Sequence, residues 1–208
     1  DVALYVGAAV MVYLAVRSNA SSSEPTPPPI DNWAAVVRSG SLVGNPASQV
    51  VILEFLDYEC PYCRKIHSTV AALAEQFPDH LAISYKQFPL AQHAAAVPAA
   101  TAALCAEQQD RFHQYHNRLL LSPIAELRAT PWMKIAQAVG VPDTAAFRLC
   151  LTGATARLRL RNDMDDGRKL GVAGTPSFFV NGYPFRSADP EKDLPEVVRQ
   201  SVRGGTSP

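Results

Sequence analysis

Two cysteines separated by two residues lie at the junction between an apolar run and a helical pattern, and this junction constrains the fold more than any other feature. The run Val50–Tyr58, with Glu54 at its centre, is rich in β-branched and aromatic residues, as in strands buried on both faces. Residues Arg64–Phe77 carry apolar side chains at helical spacing and end before Pro78. The segment Cys60–Cys63 (CPYC) therefore follows a buried strand and begins a helix.

Four further elements complete the pattern of an α/β fold with an all-helical insertion. Asn181-Gly182 between two short apolar runs is a strong signal for a β-hairpin, and Asp143 and Asp189-Pro190 are typical of helix starts. The four elements, in order, are a strand over Leu81–Phe88, a helical block over about 94–170, a hairpin over 177–185 and a last helix over about 189–202.

The Cys60–Cys63 segment has three chemical interpretations: a redox dithiol, half of a zinc site, or an inert structural disulfide. Pro61 suits the first helical position, which places Cys60 at the helix N-terminus, where free amides and the helix dipole stabilise a thiolate. Cys63, one turn further in, can then attack a mixed disulfide formed on Cys60. Zinc would need a second ligand pair at metal spacing, so the redox interpretation is favoured.

Glu54 is unusual because a carboxyl group interrupts a run that otherwise predicts burial on both faces. Six residues before Cys60, its side chain should lie beneath the dithiol, where burial raises its pKa and lets it exchange a proton with Cys63. Two other placements remain open: an exposed position at a sheet edge, or an ion pair with a lysine such as Lys86.

The segment Gly174-Thr175-Pro176 precedes the first strand of the hairpin, and a proline at a strand entry often has a cis peptide bond. If Pro176 is cis and lies beside Cys60, the backbone of Thr175 is free to pair with an extended substrate, and metals are kept from the dithiol. A plain turn proline is the alternative.

The two ends of the chain differ in composition from this folded part. Residues Val2–Val16 carry no charge, but this run is shorter than the ~20 residues of a membrane-spanning helix. We expect residues 1–17 to be an uncleaved anchor, with a cleaved signal or a buried core helix as alternatives. Ser and Pro dominate residues 18–30, which indicates a linker, and residues 204–208 are typical of a frayed tail, so the domain should span 31–203.

The charge balance bears on the class of partner. Nineteen Lys and Arg side chains balance nineteen Asp and Glu side chains, so the formal net charge is zero. A protein that binds nucleic acid gathers a basic surplus on one face. The composition therefore gives no electrostatic support for nucleic acid as the main partner.

Several motifs, in this order and spacing, resemble the DsbA-like branch of the thioredoxin superfamily over roughly residues 45–203. The motifs are Leu53-Glu54-Phe55, Asp57–Cys63 (DYECPYC), Gly174-Thr175-Pro176 and Phe178–Gly182 (FFVNG). The resemblance implies a thioredoxin fold with a helical insertion before the proline loop, and we expect neither a metal nor a cofactor.

The resemblance also assigns roles to four residues: Glu54 (buried acid), Cys60 (nucleophile), Cys63 (resolving thiol) and Pro176 (cis proline). We expect Tyr62, Thr175 and Pro176 to contact the substrate. Two of them depart from the best-known oxidase of the family, because Tyr62 replaces a histidine and Thr175 replaces a valine. The missing histidine removes one donor to the thiolate, which implies a milder oxidant, and threonine before the proline also occurs in isomerase-type relatives.

The remaining cysteines, Cys105 and Cys150, both lie in the helical block. They can be two free buried thiols that pack as small apolar side chains, or a structural disulfide. Unpaired thiols near an oxidising dithiol would not stay reduced outside the cytoplasm, so a disulfide is favoured. Such a disulfide would itself indicate an extracytoplasmic location.

Together these features predict an anchored extracytoplasmic thiol-disulfide oxidoreductase that forms disulfides in secreted or membrane proteins. Its expected redox partner is a membrane protein of the DsbB or vitamin K epoxide reductase kind. The chain could itself be the C-terminal part of such a membrane protein. Two alternatives remain: a reductase or isomerase kept reduced by a membrane electron carrier, and a thioredoxin-fold binding module or metal chaperone without enzyme activity.

Overall fold

The computed structural model describes residues 28–129 and 131–204, and the five strands in these ranges form one sheet. The strands are β1 (Ser41–Val43), β2 (Val50–Leu56), β3 (Leu81–Gln87), β4 (Ser177–Val180) and β5 (Tyr183–Phe185). Their order is β1-β3-β2-β4-β5, with β2 and β3 parallel and the other neighbours antiparallel. The predicted anchor over 1–17, most of the predicted linker and residues 205–208 lie outside the described residues.

Nine helices surround the sheet within the described ranges. They are α1 (Trp33–Arg38), α2 (Pro61–Gln76), α3 (Ala96–Glu107), α4 (Phe112–Leu121), α5 (Ile124–Arg128), α6 (Trp132–Ala138), α7 (Thr144–Thr152), α8 (Ala154–Lys169) and α9 (Pro190–Gly204). Helices α3 to α8 lie between β3 and β4 in the chain, which confirms the predicted α/β fold with an all-helical insertion. In the part of the chain that the structure describes, none of the helices is both long enough and apolar enough to cross a membrane.

The strand β2 is buried at all of its seven positions, because helices cover both faces of the sheet. Ile52 and Leu56 face a large core that includes residues of α2, α4 and α9. Leu53 and Phe55 face α1 and the segment that follows α8. Since both faces require apolar side chains, the sequence of this strand is a nearly continuous apolar run.

Local turn and cap residues begin or end several elements where the sequence predicts. Asn181 and Gly182, with φ angles of 49° and 91°, form the turn between β4 and β5, and this left-handed backbone explains the glycine. The Asp143 carboxylate caps α7 by accepting the N–H groups of Ala145 and Ala146 at 2.9 Å each. Helix α1 and strand β1 were not predicted from the sequence, since elements of six and three residues are too short for a periodic pattern.

Candidate active site

The dithiol lies between the carboxyl end of β2 and the start of α2. Cys60 is the N-cap residue of α2 and Pro61 is its first helical residue, as the sequence predicts. The Cys60 sulfur lies 3.2 Å from the carbonyl oxygen of Thr175, and the Thr175–Pro176 peptide bond is cis. The fold therefore brings the proline loop, 115 residues further along the chain, directly against the dithiol.

Both cysteines of the dithiol are buried. The exposed fraction is 3% for Cys60 and 1% for Cys63, because the Thr175 loop covers the sulfur of Cys60. Tyr62 between them is 70% exposed. Pro61 and Tyr62 are thus the exposed residues of the CPYC segment.

The environment of Cys60 favours its thiolate form. A hydrogen bond from the Cys63 thiol is the largest effect, and it lowers the pKa of Cys60 to about 5 despite partial burial. The backbone N–H groups of Cys63 and Tyr62 add to this effect. Cys60 is therefore a thiolate at neutral pH, which makes it both a nucleophile and a good leaving group.

Cys63 and Glu54 have the opposite character, because both are buried where a negative charge is unfavourable. Burial raises the pKa of Cys63 well above its ordinary value, and the neighbouring Cys60 and Glu54 raise it further. Burial also raises the pKa of Glu54 to about 8. Glu54 is therefore protonated at neutral pH and lies close enough to Cys63 to act on it electrostatically.

Lys86 does not pair with Glu54, so that alternative is wrong. Lys86 lies beside Phe55 in the register of β2 and β3, on the opposite face of the sheet from Glu54. Its ammonium group contacts Asp163 at 3.1 Å and Asp166 at 2.8 Å, both in α8. Among the described residues, no Lys, Arg or His nitrogen lies within 4.0 Å of the Glu54 carboxyl group.

The interior on the Glu54 side contains aromatic and imidazole groups. Tyr85 lies opposite Glu54 in the register, and its ring centre is 4.2 Å from that of His116. The Tyr58 hydroxyl and the His116 Nδ1 atom are 3.1 Å apart. Burial lowers the pKa of His116 well below its ordinary value, so the imidazole is neutral and supplies no cation for a Glu54 carboxylate.

A cavity of about 310 Å³ opens beside the proline loop. Pro176, Val172, Phe178 and Phe185 contribute apolar surface to it, and Arg186 contributes a cation. Neither Cys60 nor Cys63 is among the residues that line this cavity, which adjoins the dithiol through Pro176.

Two buried carboxylates in the turn before Cys60 were not assigned a role by sequence reasoning. Asp57 accepts a hydrogen bond from the N–H of Leu90 at 2.8 Å, and Glu59 accepts one from the N–H of Ala95 at 2.7 Å. Both carboxylates therefore attach the turn to the segment between β3 and α3. The sequence feature that could have identified them is the pair of acidic residues, Asp57 and Glu59, at alternate positions just before Cys60.

The structure joins Cys105 of α3 to Cys150 of α7 in a disulfide, with a Cα–Cα distance of 5.7 Å. The pair lies within the helical insertion, and it is separate from Cys60 and Cys63, which are free thiols. Neither Cys105 nor Cys150 is therefore available as a zinc ligand for the dithiol.

Comparison with known proteins relates this geometry to one family. The profile of the family described as Thioredoxin matches residues 37–200. A Na(+)/H(+) antiporter NhaA of Salinispora arenicola is 34% identical over 162 residues, which are 77% of this chain and 24% of the antiporter. The chain thus spans only about a quarter of the length of the curated relatives that it matches.

Solved structures share the fold over most of the chain. A thioredoxin-like oxidoreductase from Silicibacter pomeroyi superimposes with a TM-score of 0.70 at 27% identity, covering 84% of this chain and 100% of that protein. The thiol-disulfide exchange protein α-DsbA2 of Wolbachia pipientis gives a TM-score of 0.67 at 21% identity, covering 81% and 91% respectively.

Proposed function

The chain belongs to the thioredoxin family, among its DsbA-like thiol-disulfide oxidoreductases, and on this basis we propose that it introduces disulfide bonds into proteins outside the cytoplasm. The observation that carries the direction of the reaction is the stabilised Cys60 thiolate. A thiolate that is stabilised in the reduced protein makes the corresponding disulfide a stronger oxidant. The Cys60–Cys63 disulfide is therefore suited to oxidising a pair of substrate thiols to a disulfide.

In the proposed reaction, a substrate thiolate attacks the Cys60 sulfur of the Cys60–Cys63 disulfide. The bond between the two sulfurs breaks, and Cys63 leaves with the electron pair. Neutral Glu54 then supplies the proton that the buried Cys63 sulfur requires. The mixed disulfide on Cys60 remains as the intermediate.

The second step releases the oxidised substrate. Another substrate thiolate attacks the substrate sulfur of the mixed disulfide, and Cys60 leaves as a thiolate, which its hydrogen bonds stabilise. In total, the substrate loses two electrons and the Cys60–Cys63 pair gains them. A membrane oxidoreductase of the DsbB or vitamin K epoxide reductase kind would remove these electrons again.

The substrate class is reduced, incompletely folded protein. The Thr175 backbone beside the Cys60 sulfur can pair with an extended chain, and the adjacent cavity offers Phe178 and Phe185 to its apolar side chains. The exposed Tyr62 supplies a further contact. Unfolded chains expose such side chains, whereas folded ones bury them.

Two observations support action at the extracytoplasmic side of a membrane. The Cys105–Cys150 disulfide is of a kind that persists in oxidising compartments and is rare in the cytosol. The matched segments of the curated relatives belong to proteins named as antiporters, so domains of this type occur within membrane proteins. Extraction of membranes with alkaline carbonate would test the attachment, since a tethered domain stays with the membrane fraction.

The deciding experiment is the equilibrium of the Cys60–Cys63 pair with glutathione, read from the peptide that contains both cysteines. We expect a reduction potential closer to the ~−120 mV of a strong oxidant than to the ~−270 mV of thioredoxin. A value near the lower figure would overturn the proposal in favour of a reductase. Absence of disulfide transfer to a reduced, unfolded protein, together with stoichiometric metal on the reduced chain, would favour a binding module or metal chaperone.

A further inference from the structure

Glu59, directly before Cys60 in the chain, has a partner outside the thiol chemistry. Its carboxylate is buried, and it accepts hydrogen bonds from the Arg128 Nε at 2.6 Å and from the Ala95 N–H at 2.7 Å. The Arg128 Nη2 lies 2.5 Å from the same oxygen, Oε1, so two guanidinium nitrogens contact one carboxylate oxygen while the other oxygen accepts the Ala95 N–H. Arg128 comes from α5 of the helical insertion and is 62% exposed.

The ionised state of Glu59 depends on these partners. Burial alone would raise the pKa of Glu59, but the hydrogen bonds from Ala95 and Arg128 outweigh the burial and lower it. Glu59 is therefore a buried carboxylate at neutral pH, and Arg128 is the cation that compensates its charge.

Asp57 has different partners, so Arg128 has one carboxylate to compensate in this turn. The Asp57 carboxylate accepts the Glu59 N–H at 2.7 Å and the Leu90 N–H at 2.8 Å, and it contacts the His93 Nδ1 at 2.7 Å. The two carboxylates thus have separate partners, the imidazole of His93 and the guanidinium of Arg128.

An uncompensated carboxylate beside Cys60 would disfavour the thiolate on which exchange depends. The acidic groups around this turn are Asp57, Glu59 and Glu54, and Glu54 is neutral at neutral pH. The cationic groups are Arg128 and Arg64, and the Arg64 guanidinium donates to the Tyr58 carbonyl oxygen at 3.0 Å. The His93 imidazole contacts Asp57.

We propose that Arg128 is a positioning residue for the catalytic turn, because it holds Glu59, the residue directly before Cys60, in place and compensates its negative charge. This inference rests on the proposed function, and it gives the helical insertion a part in the reactivity of the dithiol. The side chain acts through Glu59 and touches neither substrate nor sulfur.

The experiment is a titration of the Cys60 thiolate in the reduced full chain, read by its ultraviolet absorbance and by its alkylation rate near pH 5. Arg128→Gln should lower the thiolate fraction about threefold, since the negative charge of Glu59 is then no longer compensated. Arg128→Lys, which keeps the charge but offers one nitrogen in place of two, should recover part of the loss. Glu59→Gln should not lower the fraction.

The double variant Glu59→Gln/Arg128→Gln separates this role from a structural one. It should titrate like the parent protein, because both charges are absent. The proposal would be overturned if the double variant had a thiolate fraction as low as that of Arg128→Gln. It would also be overturned if Arg128→Gln titrated like the parent protein. Arg118→Gln is the matched control, since Arg118 pairs with Glu126 at 3.1 Å in the same insertion and should not alter the titration.

The titration requires no substrate, so its outcome is independent of the direction of catalysis. A parent protein that fails to transfer disulfides would overturn the proposed function, while the thiolate titration would still decide the role of Arg128.

Discussion

The Cys60 sulfur receives hydrogen bonds from several donors, whereas the Cys63 sulfur lies in an apolar interior near Glu54. The difference between the two thiols is therefore one of polar environment, because their exposed fractions are both close to zero. A hydrogen-bond donor at a helix start stabilises a thiolate without exposing it to water. This explains how one dithiol contains both a reactive and a protected cysteine.

Glu54 makes the stability of the reduced protein depend on pH. Its pKa is 4.5 ordinarily and about 8 in the folded protein, so between these values the folded protein binds a proton that the unfolded chain has released. The free energy of unfolding therefore falls as the pH rises from about 4.5 to about 8. Glu54→Gln should remove this loss, and at pH 8.5 the variant should be more stable than the parent by roughly 3–5 kcal/mol.

Denaturant unfolding of the reduced parent and Glu54→Gln at several pH values measures this difference. Glu75→Gln, at an exposed position of α2, is the control and should not show the same dependence. A constant difference between the parent and Glu54→Gln across the pH range would contradict a buried, protonated Glu54.

At the scale of elements, α8 approaches the sheet closely at Gly167. A Cβ atom at this position would lie 2.6 Å from the Phe88 ring and 3.1 Å from the Phe55 ring. The glycine therefore lets the insertion pack against the sheet, next to the buried contact between Lys86 and Asp163. Only glycine leaves room for this close approach, which explains its presence although glycine is unfavourable within a helix.

Gly167→Ala should destabilise the protein by about 1–3 kcal/mol, because the overlap with Phe88 exceeds the gain in helix propensity. Thermal or denaturant unfolding measures the effect. Adding Phe88→Leu should recover part of the loss by removing ring atoms. Gly204→Ala is the control, since nothing lies within 4 Å of a Cβ at Gly204; a stabilised Gly167→Ala would contradict the packing.

At the scale of the whole molecule, a disulfide joins helices within the helical insertion, and ion pairs join the insertion to the rest of the domain. The disulfide Cys105–Cys150 joins α3 to α7 within the insertion and closes a loop over a sequence separation of 45. Lys86 and Glu59 attach the insertion to the thioredoxin part through Asp163 and Arg128. The insertion is therefore coupled to the active-site turn by charges, and its own unfolding is limited by a covalent bond.

The variant Cys105→Ala/Cys150→Ala should lose about 4 kcal/mol of stability under oxidising conditions, because the unfolded chain regains the freedom of the open loop. Disulfide transfer by Cys60 should persist, since the second pair is not part of the exchange. Denaturant midpoints with and without a thiol reductant measure the effect, and the difference between parent and variant should shrink when reductant is present. Equal midpoints without reductant would show that the pair contributes no constraint.

The sequence by itself determined the features that depend on neighbouring residues. A buried strand, a cysteine before a proline and an amphipathic helix follow each other in one segment, so the position of Cys60 at a helix start could be predicted from Val50 to Phe77 alone. The turn at Asn181-Gly182 and the cap at Asp143 were predictable for the same reason, because backbone conformation there depends on one or two side chains.

Only the tertiary structure decided which distant groups meet. Thr175 covers Cys60, Lys86 faces α8 instead of Glu54, and Arg128 compensates Glu59 from the insertion. A pKa or an ion pair depends on burial and on distances of a few ångströms. These distances are set by contacts between segments far apart in the chain, so residue spacing and composition cannot predict them.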